Sequence, residues 1–310
     1  MMPATRRLLA ATAFALAAAL AAAPGWAQTG VNAFKGPITT TAIGGGLYQL
    51  SAGSNAVLAV GADGAILIDS LFNDPAKLVA SVEAVTPRPV KLLVNTHAHL
   101  DHTAGNAIYA GKGARIVSTS LAAGAMQQPF TGGDGTQRPP IDKAGWPTTT
   151  YDKVTTLSIP GQSLRFIPVR NAHGEGDAMV FFPKANVLVL GDLHHSHEYP
   201  VWDAVTGCKC GSYEGNLQVY RQALKLADAR TKIVPGHGGL TNKAEVTAYV
   251  AMLERVRGQV KALIARGKSK DEVVAAKLLA DDHSPQPGGP DNRDNFIATL
   301  YTALQTGVGA

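Results

Sequence analysis

The chain has 310 residues, 45% of them hydrophobic and 16% charged, the balance of a folded globular protein long enough for a sizeable core. The formal charge is +5, and the one basic stretch, between Arg255 and Lys270, is helix-like with charges that suit a solvated face; nothing points to nucleic acid. There is no heptad, no collagen-like period and no repeat at fixed spacing, and composition is silent on oligomeric state.

The N-terminus reads as a targeting segment. Arg6 and Arg7 form a basic region, residues 8–23 are apolar and rich in Ala and Leu, and Gly25-Trp26-Ala27 places small residues where a signal peptidase reads. A signal peptide is therefore expected over residues 1–27, with a mature chain from Gln28 and a periplasmic or secreted location. The apolar run is shorter than the ~20 residues a membrane span needs, so no span is expected after cleavage. Thr5-Arg6-Arg7-Leu8-Leu9 also resembles a twin-arginine signal. Without Arg6 and Arg7 the 28 basic residues become 26 against 23 acidic ones, a net of +3.

Beyond a loose lead-in, residues 38–70 read as a strand meander, with GLYQL, NAVLAV and GAILIDS separated by Gly, Ser, Asn and Asp. Asp74-Pro75 opens a helix with a capping residue and a proline at the first position. Pro87 and Pro89 end that helix near Val85. VKLLVNT is a continuous apolar run, the signature of a strand buried on both faces. It feeds directly into THAHLDHTAGN, then a helix from about Gly105 and the strand ARIVSTS.

The second half repeats this logic. TTLSI, LRFIPV, DAMVFFP and NVLVLGD read as strands, the last two joined by the turn Pro183-Lys184-Ala185-Asn186. A helix fits Asn216 to Ala227, with Leu217, Tyr220 and Leu224 on one face. TKIVPGHGG is a further strand running into a loop. Helices are expected over Lys243 to Arg266, Lys270 to Leu279 and Asp294 to Gln305. Strands and helices in this order, twice, predict one layered α/β domain over residues 28–310, with C-terminal helices from about 243.

Three of the nine histidines share one hexapeptide, His97-Ala98-His99-Leu100-Asp101-His102. By ordinary composition such a pattern arises on the order of once in a million positions. In an extended loop alternate residues project to one side, so His97 and His99 can grip one cation. Asp101 and His102 arrive as the backbone turns into the next helix and can face a second. Imidazole with carboxylate suits zinc, with manganese or iron as alternatives. His173 after LRFIPV, Asp192 after NVLVL and His237 after KIV each cap an apolar strand in a Gly-containing loop. Together they complete a set large enough for two ions.

VNTHAHLDHTAGN, the later single His, the Gly-Asp after a strand and Pro-Gly-His-Gly resemble the metallo-β-lactamase-fold hydrolases, over about residues 38–240. The resemblance implies a four-layer αββα sandwich of two mixed β-sheets flanked by helices, with the site at one edge between the sheets. It implies that His97, His99 and His173 hold one zinc, that Asp101, His102 and His237 hold the other, and that Asp192 bridges them. Asp69 matches the acidic position of that fold that supports a ligand from behind.

Two such cations lower the pKa of a shared water, and the hydroxide can attack a small ester, lactone, thioester or β-lactam-type amide. Asp101 is placed to orient the nucleophile or take its proton. β-Lactamases of this fold usually carry Cys or Ser where this chain has Asp192, which is more like the thioesterases and lactonases. The lactonases carry Tyr three residues later, where this chain has His195. A true metallo-β-lactamase is one alternative; an exported metal-binding or redox accessory protein without turnover is another. His194, His195 and His197, with Tyr199 and Trp202, are candidates for a pocket that takes a small-molecule substrate. Cys208 and Cys210 form a C-x-C in an exported chain, open to a strained disulfide, free thiols or soft-metal ligation.

Overall fold

A computed structural model describes residues 36–131, 136–196, 198–202, 210–280 and 290–307. The signal segment, His197, Cys208 and Lys209 lie outside the described residues. Cys210 is disulfide-bonded.

Strands β1 (Thr39–Gly44), β2 (Leu47–Ala52), β3 (Ser54–Val60) and β4 (Ala65–Ile68) form the expected meander. β5 (Val90–Val94), β6 (Arg115–Ser118) and the short β9 (Thr149–Thr150) extend it in parallel, giving the order β1-β2-β3-β4-β5-β6-β9. The second sheet runs β10 (Thr155–Ile159), β11 (Gln162–Pro168), β12 (Ala178–Phe182), β13 (Val187–His195), β14 (Lys232–His237) and β15 (Thr241–Asn242). It is antiparallel except where β13 pairs in parallel with β14. Both large sheets are therefore mixed. A small hairpin, β7 (Phe130–Thr131) with β8 (Gln137–Arg138), stands apart from them.

Helix α1 (Pro75–Val85) starts as the sequence predicts, with the Asp74 carboxylate accepting from Ala76 N at 2.9 Å. The remaining helices are α2 (Leu100–Thr103), α3 (Asn106–Gly111), α4 (Ser120–Ala125), α5 (Tyr213–Leu226), α6 (Lys243–Ala265), α7 (Lys270–Ala275) and α8 (Pro290–Thr306). α5 starts at Tyr213, three residues ahead of the expected Asn216, because Ser212 caps it, accepting from Gly215 N at 2.9 Å. α7 stops short of the expected Leu279: Lys277 has φ +50°, left-handed backbone that a helix cannot continue through.

Side-chain alternation divides the core into three layers. Ile66 and Ile68 of β4, Leu92 and Val94 of β5, and Val187 and Val189 of β13 meet Phe166, Val180 and Phe182 between the sheets. The opposite face of the first sheet, with Leu58, Leu67 and Leu93, packs on Leu78 and Val82 of α1 and Tyr109 of α3. The opposite face of the second, with Leu188 and Leu190, packs on α5, α6 and α8 through Leu217, Tyr220, Val246, Leu253 and Leu300. Each inner strand is apolar on both faces because each face has its own layer to fill. The result is the αββα sandwich the resemblance implies. Among the described residues no helix is long and apolar enough to cross a membrane.

Candidate metal centre

The two sheets bring together segments up to 140 residues apart in sequence, at the ends of β5, β13 and β14. β5 ends at Val94, and Asn95-Thr96 leads into the His97–His102 segment. Buried Asn95 and Asn106 clasp this turn: Asn106 Nδ2 donates to Asn95 Oδ1 at 2.9 Å, and Asn95 Nδ2 donates to the His102 carbonyl at 3.2 Å. Asp192 and His237 lie inside their strands, not in loops beyond them, since β13 runs to His195 and β14 to His237. The pairing of β13 with β14 is irregular between Gly191 and His195. A regular strand would set Asp192 and His194 on one face; the irregularity instead sends Asp192 and His195 to the cleft and Leu193 and His194 to the helix side.

Two glycines make this approach possible. A Cβ on Gly236 would lie 1.9 Å from Asp192 Oδ1 and 2.6 Å from the Gly191 carbonyl carbon. Gly191 has φ +54°, and a Cβ there would lie 2.4 Å from Thr96 Oγ1. Neither position admits a side chain without moving the carboxylate or the β5 turn.

Two groups of potential ligand atoms result, each within 4.8 Å of one another: His97, His99, His173 and Asp192; and Asp101, His102, Asp192 and His237. Asp192 is common to both. Its Oδ2 lies 3.6 Å from His97 Nε2, 3.6 Å from His173 Nε2 and 3.3 Å from His237 Nε2, and its Oδ1 is 2.9 Å from His102 Nε2. Asp101 Oδ2 stands 3.1 Å from His237 Nε2 and 3.4 Å from His102 Nε2. His99 presents Nδ1, 3.1 Å from His173 Nε2.

The far sides of four of the rings are anchored. His102 Nδ1 meets Asp69 Oδ2 at 2.9 Å, His173 Nδ1 donates to the Val201 carbonyl at 2.8 Å, His237 Nδ1 donates to the Gly53 carbonyl at 2.9 Å, and His97 Nδ1 lies 3.0 Å from Thr96 Oγ1. Such contacts choose the tautomer and turn Nε2 toward the centre. Asp69 is 1% exposed and also accepts from Thr96 N and Oγ1, both at 2.7 Å. It is held at φ +59°, a backbone state that Asp tolerates better than most residues.

The electrostatics is that of a cation site. Burial opposes charge on His97 and holds its pKa well below the ordinary value, with His102 adding to the effect, so the ring is neutral with a lone pair to offer. Burial also opposes charge on His102, but Asp192, Asp101 and Asp69 outweigh it and push the pKa well up. Burial would raise the Asp192 carboxyl; His102, His237, His195 and His97 outweigh that and hold it well below the usual carboxylate range. A field that draws protons to imidazoles in this way equally draws a metal ion. His97 Nε2, His102 Nε2 and Asp192 Oδ1 are buried and none makes a well-formed hydrogen bond, although the last two face each other at 2.9 Å; buried polar atoms left so are costly. Their convergence on one space is what a bound cation satisfies. The residues fit the metal.

Some supporting groups are not apparent from the sequence. Asp177 accepts from His173 N and Gly174 N, both at 2.9 Å, and so closes the loop that presents His173; burial, only partly offset by those bonds, raises its carboxyl to about 7. Asn55 Nδ2 donates to the carbonyls of Pro235 and Gly238 at 3.0 and 2.8 Å and pins the loop that carries His237. The sole hint for Asp177 in the sequence is its place four residues after His173 in a Gly-rich turn.

The proposed pocket residues separate. His195 faces the cleft. His194 Nδ1 meets the Tyr220 hydroxyl at 3.2 Å, and its ring packs edge-on against Tyr220 and Tyr249, so it belongs to the helix layer. Tyr199 stacks on Phe296 at 4.7 Å, and Trp202 packs on Tyr213. Both line a cavity of about 220 Å³ whose wall is completed by Phe296, Asn295 and Thr299 of α8. None of the candidate ligands lines that cavity, but Val201, the carbonyl partner of His173, does.

Replacing Asp69 by Ala is expected to weaken metal binding by the Asp101, His102 and His237 group by about 10- to 100-fold, because His102 loses the anchor that aims its Nε2. Chelator competition on the apoprotein measures this; unchanged affinity would show that Asp69 serves the backbone of Thr96 alone.

A family model described as the metallo-beta-lactamase superfamily matches residues 52–237, a span that contains every candidate ligand. A curated relative, the alpha subunit of 2,4-dinitroanisole O-demethylase from Nocardioides sp., is 26% identical over 159 residues, 50% of this chain and 46% of the relative; the chain thus matches less than half of that protein's length. Among solved structures, a metallo-beta-lactamase from Pontibacter korlensis superposes with TM-score 0.55 at 21% identity, covering 70% of this chain and 99% of that one. The sec-alkylsulfatase Pisa1 from Pseudomonas sp. superposes with TM-score 0.57 at 18% identity, covering 88% of this chain and 50% of that one. At these identities the structural likenesses speak for the fold.

Proposed function

The chain belongs to the metallo-beta-lactamase superfamily, and from that premise we propose that it is a dinuclear zinc hydrolase of small molecules. The observation that carries the reading is the pair of ligand groups sharing Asp192, with three buried ligand atoms left without a well-formed hydrogen bond at their meeting point. His97, His99 and His173 would hold one ion, Asp101, His102 and His237 the other, with Asp192 between them.

Cations bound there supply an acidified water at neutral pH and polarise the bond under attack. The chain's own residues do the rest. Asp101 is the partly exposed carboxylate of the second group, with a side chain 21% accessible, and so stands on the solvent side of the buried Asp192. It can accept the proton the attacking water loses. The anchored rings of His102, His173 and His237 hold their nitrogens still, so little reorganisation is needed during the reaction.

An activated carbonyl, in an ester, lactone, thioester or β-lactam-type amide, is the substrate class this arrangement suits. Asp192 in place of Cys or Ser argues for the first three over the last. The test is a screen of p-nitrophenyl esters, lactones, thioesters and a chromogenic cephalosporin on zinc-loaded protein. Because the similar proteins include an alkylsulfatase and an O-demethylase subunit, a secondary sulfate ester and an activated aryl methyl ether belong in the panel. No turnover of any class at full occupancy would favour the metal-binding reading instead.

We also place the protein outside the cytoplasm, supported by Arg6, Arg7, the apolar run and Ala27. N-terminal sequencing of native protein is expected to read from Gln28; a start at Met1 or Met2 would overturn this.

A further inference from the structure

His195 lies outside both ligand groups, yet it shares with His102 and His97 features that His194, its buried neighbour, lacks. It is 8% exposed. Its Nδ1 lies 2.9 Å from Glu198 Oε2. An ionised carboxylate can only accept, so the ring donates from Nδ1 and its Nε2 is the atom left for the centre. That Nε2 is buried and makes no well-formed hydrogen bond; its nearest polar neighbour is Asp192 Oδ2, at 3.5 Å. The arrangement repeats the anchoring of His102 by Asp69, with a carboxylate behind and Nε2 in front. His194, one residue earlier, shows none of this: its Nδ1 meets Tyr220 and its ring lies among helix-layer tyrosines.

The placement matches that of a ligand. His195 Nε2 is 3.5 Å from Asp192 Oδ2, against 3.6 Å for His97 and His173 and 3.3 Å for His237. Two ligand atoms at 2.0–2.1 Å from one tetrahedral zinc lie about 3.4 Å apart. Four imidazole nitrogens thus surround Asp192 Oδ2 at ligand spacing, and only three are accounted for. The ring also sits beside His237, at 4.6 Å between centroids, and farther from His173, at 6.2 Å. His195 and His237 are register partners on the parallel strands β13 and β14, and Ser196 N donates to the His237 carbonyl at 3.0 Å. Strand pairing therefore ties His195 to the second group.

We propose that His195 is a further metal-directed residue, completing the second cation's shell beside His237 and Asp192, and that Glu198 is the positioning carboxylate that aims it. The inference rests on the two-cation reading above. It gives the second ion an extra imidazole nitrogen donor, which raises its affinity and sets the ion apart from its neighbour. Tyr249 supports the same segment, since its hydroxyl donates to the Glu198 carbonyl at 2.8 Å. β13, Glu198 and α6 thus form one unit behind the second site.

The test is metal binding by the full mature chain, read by chelator competition with zinc and by visible absorption with Co²⁺, with no substrate present. Wild type is expected to bind two equivalents. His195→Ala is expected to keep the first at unchanged affinity, to bind the second about 10- to 100-fold more weakly, and to change the Co²⁺ band of the second equivalent only. Glu198→Gln keeps an acceptor for Nδ1 but no charge, and is expected to weaken the second equivalent by about 10-fold or less. Unchanged second-site affinity and an unchanged band in His195→Ala would overturn the proposal and leave the two-cation reading standing, as would weakening of the first equivalent alone. Fewer than two equivalents in wild type would bring down that reading itself. The first equivalent's affinity reports on folding, and His195→Asn replaces the Ala variant if that affinity collapses.

Discussion

Replacing Asp101 by Asn is expected to lower kcat by about 10²- to 10⁴-fold, the usual worth of a general base, while the His97, His99 and His173 group stays filled. Two of those three rings have their own anchors, Nδ1 of His97 at Thr96 and Nδ1 of His173 at Val201, and His99 Nδ1 faces His173 Nε2. The Asn amide keeps the size of the carboxyl, and its oxygen can still face the second cation. The backbone also keeps its hold, because the Asp101 carbonyl accepts from Ser54 Oγ at 2.6 Å whichever side chain is present. What goes is the full negative charge and the capacity to accept a proton. Both losses fall on the chemical step, so KM should change far less than kcat. Steady-state kinetics on the substrate the screen identifies, with zinc measured on the same sample, decides it. Near-wild-type kcat at full occupancy would remove Asp101 from the chemistry. Loss of both ions would show that the two groups bind cooperatively, and the two-group description would have to be revised.

Asp192→Ala is expected to have the larger effect on metal content: loss of both equivalents at chelator concentrations the wild type withstands, with affinity down by upwards of about 100-fold at each site, beyond what removing a supporting residue costs. Four imidazole nitrogens, counting His195, lie within 3.6 Å of its Oδ2, and a fifth, His102 Nε2, lies 2.9 Å from Oδ1. Removing the carboxylate takes the one anion that both groups share and leaves those rings facing one another across a buried space. Their mutual repulsion if protonated, and their unmet hydrogen bonds if neutral, should also destabilise the apoprotein by about 1–3 kcal/mol. Elemental analysis together with thermal unfolding of the apo forms measures both. An Asp192→Ala protein that retained one tightly bound ion would show that the two groups are separate, with no bridging carboxylate.

The metal-directed residues were legible in the sequence because their signal is local and rare. A hexapeptide with three histidines and an aspartate has few other uses, and each remaining candidate, His173, Asp192 and His237, ends an apolar strand run. The strands themselves were legible because every inner strand is apolar on both faces, a pattern the three-layered core demands. Less legible were the short pairings, β7 with β8 and β15 with β14, whose two-residue runs carry no periodicity.

By itself, then, the sequence determined a layered α/β domain, most of its strands and helices in chain order, and the histidines and aspartates that could converge on a cation; the four-layer sandwich and the grouping of the ligands were what the family resemblance implied. Only the tertiary structure decided which of the two adjacent histidines, His194 or His195, faces that centre. An alternating strand would have paired Asp192 with His194; the irregular pairing of β13 with β14 turns His194 toward Tyr220 and brings His195 to the carboxylate instead. Apart from Asp69, which the family resemblance places behind a ligand and which meets His102, the supporting partners were equally invisible. Gly53, Asp177, Val201 and Glu198 act through contacts spanning up to 184 positions, and two of those four contacts use backbone carbonyls, which any residue type could have supplied. Spacing along a chain cannot encode a hydrogen bond that exists only once two sheets have packed face to face.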